Sequence, residues 1–179
     1  YEHCNYFSGG SLARLFRRAG FAVENIECDY DDQYLMIDCR PAEQGEETRL
    51  LPEEQDFEEL QHLVERFARE LPGQLTRWQD VIQSYRADNK RVIIWGGGSK
   101  GVAFLTTLGL DSEIDYVVDI NPYKQDKYMP VTGHRIVGPE YTKGAKPDVV
   151  IVMNPIYVPE IRESLQGLGL SPQILPVDQ

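Results

Sequence analysis

A short apolar strand that runs directly into a glycine-rich turn constrains this chain more than any other feature. The run from Arg91 to Trp95 has the composition of a buried strand, and Gly96, Gly98 and Gly101 follow it in a G-x-G-x-x-G pattern. In such a turn the first glycine permits the reversal, the second lets a phosphate approach the backbone, and the third lets the next helix pack closely on the strand. The pattern predicts a strand–turn–helix unit of an α/β sheet.

Further apolar runs alternate with helical segments in the same half of the chain. Strands are predicted at 116–119, 149–153 and 174–177, and helices at about 99–108 and 159–168. Short β-branched runs that alternate with helices are typical of a parallel sheet covered on both faces. We therefore expect residues 90–179 to form one α/β domain.

The first 42 residues predict a helix followed by a strand pair. Ser8 or Ser11 can cap the helix, and Gly20 is placed to end it. The strands are expected at about 21–28 and 34–39. One face of this helix is apolar and carries Leu12, Leu15 and Phe16. The other face is basic and is expected to lie outside, with Arg14, Arg17 and Arg18.

Residues 43–89 predict an acidic linker and two amphipathic helices. Apolar side chains recur at steps of three and four, first at Phe57, Leu60, Val64, Phe67 and Leu71 and then at Leu75, Trp78, Ile82 and Tyr85. Pro72 and Gly73 separate the two series, so we expect a kink or a break there. Both helices are expected to pack on the domain that follows, with Trp78 in a core.

Composition narrows the classes of function. The chain has 29 acidic and 18 basic residues and a net charge of −11, which argues against nucleic acid and anionic lipid as partners. No apolar run is long enough for a membrane span, and no signal peptide is visible, so a cytoplasmic location is expected. The three cysteines, Cys4, Cys28 and Cys39, lack metal-ligand spacing and are expected to be reduced thiols, with no metal bound. Because the chain begins with Tyr1, we expect it to be a piece of a longer polypeptide.

A candidate binding site surrounds the glycine turn. Ser99 and Lys100 add a hydroxyl and a positive charge at the predicted helix start, where free N–H groups suit an anion. Asp119 ends the next strand, at the spacing of an acidic residue that reaches a ribose hydroxyl. The loop that follows carries Asn121 and Lys124. Three interpretations stay open: a nucleotide-binding module, half of an NAD-dependent oxidoreductase, and a turn that serves packing alone.

A second candidate lies at the beginning of the chain. An imidazole has a pKa near neutrality, and an adjacent carboxylate can orient it and raise its basicity. Glu2 and His3 are thus a candidate general-base pair, with an ordinary surface pair as the alternative.

Several stretches in order resemble one enzyme family. They are Tyr1-Glu2-His3-Cys4-Asn5-Tyr6-Phe7-Ser8, then Ser11-Leu12 and Ala19-Gly20-Phe21, the turn from Trp95 to Gly101, the run from Val117 to Lys124, and the run from Asp148 to Pro155. Together they resemble the S-adenosylmethionine-dependent C-methyltransferases that act on nucleotide-linked keto-sugars. The resemblance covers nearly the whole chain.

The resemblance implies a division into three parts. Residues 1–42 would be the tail of the methyl-donor domain, 43–89 a linker with helices, and 90–179 a Rossmann-like C-terminal domain that helps to hold substrate. The S-adenosylmethionine site and the zinc cysteines of the family would lie in the N-terminal part of the same polypeptide, which would be this chain's partner. Alone, the chain is then expected to be inactive.

The resemblance also implies roles for individual residues. His3 would remove a proton beside the sugar ketone, Glu2 would orient it, and Tyr6 would belong to the same pocket. Asp31-Asp-Gln33 replaces a stretch that is often rich in glycine and serine in the family, which implies an untypical sugar. The glycine turn would serve either substrate or packing.

Overall fold

The computed structural model describes residues 5–30, 32, 34–46 and 49–178. Their contacts divide the chain after residue 70. We call the described residues up to 70 the N-terminal unit and those from 71 onward the sheet unit.

The N-terminal unit contains the predicted helix and strand pair. Helix α1 spans Gly9–Arg18, and strands β1 (Phe21–Asp29) and β2 (Tyr34–Pro41) pair antiparallel. Ser8 caps α1: its hydroxyl accepts from the Ser11 N–H, and the Ser11 hydroxyl accepts from the Ser8 N–H. Satisfying two otherwise unpaired donors in this reciprocal way fixes the helix start.

The predicted faces of α1 are partly wrong. Leu12 and Phe16 pack on a small core of Ala13, Val23 and Ile26, but Leu15 is exposed. Arg17 is not outside: it forms an ion pair at 2.8 Å with Glu54, and both side chains are largely shielded from solvent. A 3₁₀ helix at Pro52–Gln55 supplies Glu54. Contact with this later segment, which helical periodicity does not reveal, decides which face is covered.

Helix α2 spans Phe57–Ala87 without interruption, so the prediction of two separate helices is wrong. Pro72 lacks one N–H, yet the helix continues, and the Thr76 hydroxyl donates to the Pro72 carbonyl oxygen at 3.1 Å. Trp78 and Ile82 are buried in the core of the sheet unit, which confirms the predicted packing for the later part of the helix. In the earlier part Phe57, Val64 and Phe67 are exposed, and the prediction of packing is wrong there.

The sheet unit is built on five parallel strands. They are β3 (Val92–Trp95), β4 (Val117–Val118), β5 (Ile136–Val137), β6 (Val149–Val152) and β7 (Gln173–Pro176). They lie in the order β5-β4-β3-β6-β7, with every pair parallel. The predicted α/β class with a Rossmann-like parallel sheet is confirmed, and β5 is an additional strand that the sequence did not indicate.

Helices cover both faces of this sheet. They are α3 (Ser99–Leu108), α4 (Tyr141–Ala145) and α5 (Val158–Gly167), together with the end of α2 and a 3₁₀ turn at Pro155–Tyr157. Ile94 lies in the core with Trp78 and Leu105, whereas Ile93 lies in the core with Leu165 on the other face. After β3, the next two strands along the chain, β4 and β5, lie towards one edge of the sheet, and the last two, β6 and β7, lie towards the other edge. Open α/β sheets bind ligands at the carboxyl ends of their strands, beside the point where the strand order reverses, and in this sheet that point lies between β3 and β6.

None of the helices in the described ranges is both long enough and apolar enough to cross a bilayer.

Candidate functional site

The glycine turn joins β3 to α3 at the carboxyl edge of the sheet, as predicted. Gly96 has φ +119°, a backbone conformation that residues with a side chain rarely adopt. Its N–H donates to the Val118 carbonyl oxygen at 2.8 Å. A Cβ atom on Gly101 would lie 2.5 Å from the Gly96 carbonyl oxygen. The first glycine therefore permits the turn, and the third permits close packing of α3.

Asp119 connects this turn to the loop after β4. Its Oδ2 accepts from the Gly97 N–H at 2.9 Å, and its Oδ1 accepts from the Asn121 N–H at 2.8 Å. The Lys124 ammonium lies 3.4 Å from Oδ2. Sequence spacing placed Asp119 at the strand end, and the structure adds that its carboxylate is already hydrogen-bonded. Since a carboxylate has about four lone-pair sites, acceptor capacity remains for a ligand hydroxyl.

The Lys124 ammonium lies over the second glycine of the turn. A Cβ atom on Gly98 would be 3.8 Å from the Lys124 nitrogen, which is an ordinary van der Waals distance. Gly98 is also the N-cap residue of α3 and has no side chain to occupy the free N–H groups. The arrangement presents a positive group and backbone donors at one place, which suits an anionic ligand.

The structure brings most of the predicted site residues of this half together. Gly96, Gly98, Asp119, Asn121 and Lys124 meet through the contacts given above. Ser99 and Lys100 lie in the first turn of α3, the former partly buried and the latter exposed.

Sequence reasoning missed Gln125. Its side-chain amide donates to the Asp119 carbonyl oxygen at 3.1 Å, and a Cβ atom on Gly138 would lie 3.0 Å from its carboxamide. The side chain thus bonds within the loop after β4 and lies close against Gly138 in the segment after β5. A single glutamine in a polar loop carries no sequence signal for such a role.

The candidate residues near the chain start are only partly described. Glu2, His3 and Cys4 lie outside the described residues, as do Asp31 and Gln33. Tyr6 is described, and its side chain is 88% exposed. Cys28 and Cys39 are free thiols.

Polar groups elsewhere in the described chain include the buried side chain of His134. No group of three or more His, Cys, Asp or Glu side chains in the described ranges is arranged to hold a metal ion. His134 is buried with both ring nitrogens in use, Nε2 at 2.7 Å from the Asp111 carbonyl oxygen and Nδ1 at 2.9 Å from the Thr132 hydroxyl. It joins two loops of the sheet unit.

Two comparisons with known proteins bear on the family of this chain. A family model described as the C-methyltransferase C-terminal domain matches residues 38–170. The C-methyltransferase NovU of Streptomyces niveus is 31% identical over 169 residues, which cover 90% of this chain and 40% of that protein. The chain thus spans less than half the length of this relative. The family match begins within β2, extends over the long helix α2 and the sheet unit, and ends between α5 and β7. The chain therefore belongs to the family of C-methyltransferase C-terminal domains.

Proposed function

We propose that this chain is the C-terminal part of an S-adenosylmethionine-dependent C-methyltransferase whose sheet unit holds a nucleotide-sugar-like substrate. The observation that carries the proposal is the Lys124 ammonium over Gly98, beside Asp119, at the carboxyl edge of β3 and β4. A nucleoside diphosphate offers the two groups that this edge would bind: phosphates for Lys124 and the α3 N-terminus, and ribose hydroxyls for Asp119.

The methyl donor does not fit this edge equally well. S-adenosylmethionine carries a positive sulfonium, and the Lys124 ammonium would repel it where it would attract phosphate. The Asp119 carboxylate, which could compensate, already contacts Lys124 at 3.4 Å. We therefore assign the donor to a part of the enzyme outside this chain. The donor would supply the methyl group there, away from the sheet-unit site.

The chemical role of the chain start follows from the family resemblance. In this proposal His3 takes the proton from the carbon beside the sugar ketone, and Glu2 orients the imidazole. The electron pair of that C–H bond would then form the new bond to the methyl carbon as the methyl–sulfur bond of the donor breaks, and the electron pair of the broken bond would stay on the sulfur. Tyr6 belongs to the same pocket, and its exposed side chain is available for contact with substrate.

A binding experiment tests the role of the sheet unit. We expect the chain to bind UDP-glucose or dTDP-glucose in a calorimetric titration, and Lys124→Ala to weaken binding about 10-fold or more, because a hydrogen bond to a charged group is worth about 1.5–3 kcal/mol. Lys127→Ala is the matched control, since Lys127 is exposed in the same loop.

The alternatives correspond to other outcomes of the same titration. Tight binding of NADH would favour the dinucleotide interpretation. Binding of a nucleotide-sugar to this chain, combined with no methyl transfer by the full-length protein in a separate turnover assay, would favour a binding module without catalysis. A chain that binds none of these ligands would indicate that the glycine turn serves packing alone.

A further inference from the structure

Two large apolar side chains are exposed in the segment between Asp119 and Lys124 of the candidate site. Ile120 directly follows Asp119 and is 74% exposed, and Tyr123 directly precedes Lys124 and is 83% exposed. Single exposed apolar residues are ordinary on protein surfaces. These two belong to the same short segment as Asp119 and Lys124, the groups that we propose to contact ribose and phosphate.

The loop that carries these side chains is held in place by hydrogen bonds. The Tyr123 N–H donates to the Asn121 side-chain oxygen at 3.0 Å, and the Lys124 N–H donates to the Asn121 carbonyl oxygen at 3.0 Å. The Gln125 amide anchors the loop to the Asp119 carbonyl oxygen. An aromatic side chain on a fixed turn loses little conformational entropy when a ligand packs on it, which favours binding.

The order of groups along a nucleotide indicates what would reach this loop. In parallel sheets of this kind the phosphates lie over the turn after the first strand, and the ribose lies at the acidic residue that ends the second. The base is attached to the far side of the ribose. It would therefore extend beyond Asp119, where the chain continues through Ile120 to Tyr123.

We propose that Ile120 and Tyr123 form the base-binding surface of the site, with the Tyr123 ring stacked on the base of a nucleoside diphosphate-linked substrate. The inference rests on the proposed function and deepens it, because it names the part of the substrate that the loop recognises. A stacked ring tolerates different bases, since every base has a π-face, so the surface distinguishes a nucleotide-linked sugar from a sugar phosphate.

Tyr128 provides a matched control on the same protein. It is also exposed, but it lies beyond the turn, where its bridge to Arg135 joins it to the segment that leads into β5. Tyr128 has the same phenol ring as Tyr123, and the two residues differ only in their position relative to Asp119 and Lys124.

The test compares a ligand that has a base with one that lacks it. UDP and pyrophosphate are titrated into the whole chain and into the variants Tyr123→Ala, Tyr123→Phe, Tyr128→Ala and Lys124→Ala. We expect Tyr123→Ala to weaken UDP binding about ten-fold, the size of one base–aromatic stack, and to leave pyrophosphate binding unchanged. Tyr123→Phe and Tyr128→Ala should bind both ligands as the unaltered chain does, and Lys124→Ala should weaken both.

Two results would overturn the inference by itself: unaltered UDP binding in Tyr123→Ala, or equal losses for UDP and pyrophosphate. In either case Lys124→Ala can still weaken both ligands, and the proposed function survives. If the unaltered chain binds neither UDP nor pyrophosphate, the proposed function fails first and the inference fails with it.

Discussion

A methyl group on Gly101 would meet the backbone of the turn. Its Cβ atom would lie 2.5 Å from the Gly96 carbonyl oxygen, and backbone cannot turn aside as a flexible side chain does. We predict that Gly101→Ala lowers the free energy of unfolding by about 1–3 kcal/mol or more, because α3 must move off the sheet. A denaturant titration followed by tryptophan emission measures this, since Trp95 ends the strand before the turn.

Gly144→Ala is the control for that substitution. Gly144 is also helical, in α4, and a Cβ atom there would meet nothing within 4 Å. It should leave the free energy of unfolding unchanged or raise it slightly. Equal losses in the two variants would show that the close contact at Gly101 is not what requires glycine.

Individual residues of the site were predictable to different degrees. The positions of Gly96, Gly101 and Asp119 follow from the spacing of the turn and the strand end, and the structure places them accordingly. The partners of Asp119 do not follow from spacing, because they depend on side-chain torsions and on the loop. The prediction that Arg17 lies on the outer face of α1 is wrong for a related reason. Its partner Glu54 lies 37 residues away and gives no periodic signal in the sequence.

Among the elements, α2 contains the clearest conflict between propensity and structure. Pro72 lies inside the helix and is exposed, so it destabilises only the helix around it. It lacks the N–H of one helical hydrogen bond, and its ring crowds the carbonyl group four residues earlier. We predict that Pro72→Ala raises the thermal unfolding midpoint and the helical circular dichroism of the chain, since proline is about 3 kcal/mol less favourable than alanine within a helix.

Gly73→Ala calibrates the effect of Pro72→Ala. Its Cβ atom would meet nothing within 4 Å, and its expected gain is about 1 kcal/mol, the ordinary helix preference of alanine over glycine. If Pro72→Ala gains no more than Gly73→Ala, or loses stability, Pro72 is not the weak point of the helix.

The predictability of each element follows its length and pattern. Strands β3 and β6 and helices α3 and α5 were predicted within a residue or two, because long apolar runs and helical periodicity identify them. Strand β5 and helix α4 were missed, since two residues and five residues are too short to show a period. A kink or a break was expected at Pro72, and the break is absent: α2 is continuous, because the packing of Trp78 and Ile82 outweighs one unfavourable residue.

At the scale of the whole molecule, the two units differ in what stabilises them. The sheet unit has apolar cores on both faces of its sheet, whereas Ala13, Val23 and Ile26 are the buried centre of the N-terminal unit. Ion pairs supplement that small core. Asp56 accepts from the Ser8 hydroxyl at 2.6 Å and from Arg14 at 2.8 Å, and Glu54 pairs with Arg17.

These contacts set the direction of the acid response. The Ser8 hydroxyl, together with Arg14, lowers the pKa of Asp56 below its ordinary 3.8. Burial raises the pKa of Glu54, but the bonds from Arg17 and from the Leu51 N–H outweigh it, and the net result is a pKa below 4.5. A carboxyl with a lowered folded-state pKa contributes stability that is present above the unfolded-state pKa and is lost as pH falls through the folded-state value. The N-terminal unit should therefore weaken progressively below about pH 5.

Both tryptophans of the chain, Trp78 and Trp95, lie in the sheet unit, so their emission reports that unit alone. We predict that acid first removes the chemical-shift dispersion of the amide resonances of α1 and β1, while the tryptophan emission of the folded sheet unit persists to lower pH. Glu113 in the sheet unit also has a lowered pKa, from backbone hydrogen bonds, but the larger core there makes the loss of those bonds less important.

Asp56→Asn should weaken the N-terminal unit at pH 7 and flatten its response below pH 5, whereas Glu163→Gln, an exposed change in α5, should do neither. If emission and amide signals change together in the unaltered chain, the two units unfold as one, and the ion pairs around Glu54 and Asp56 are not what limits the chain in acid.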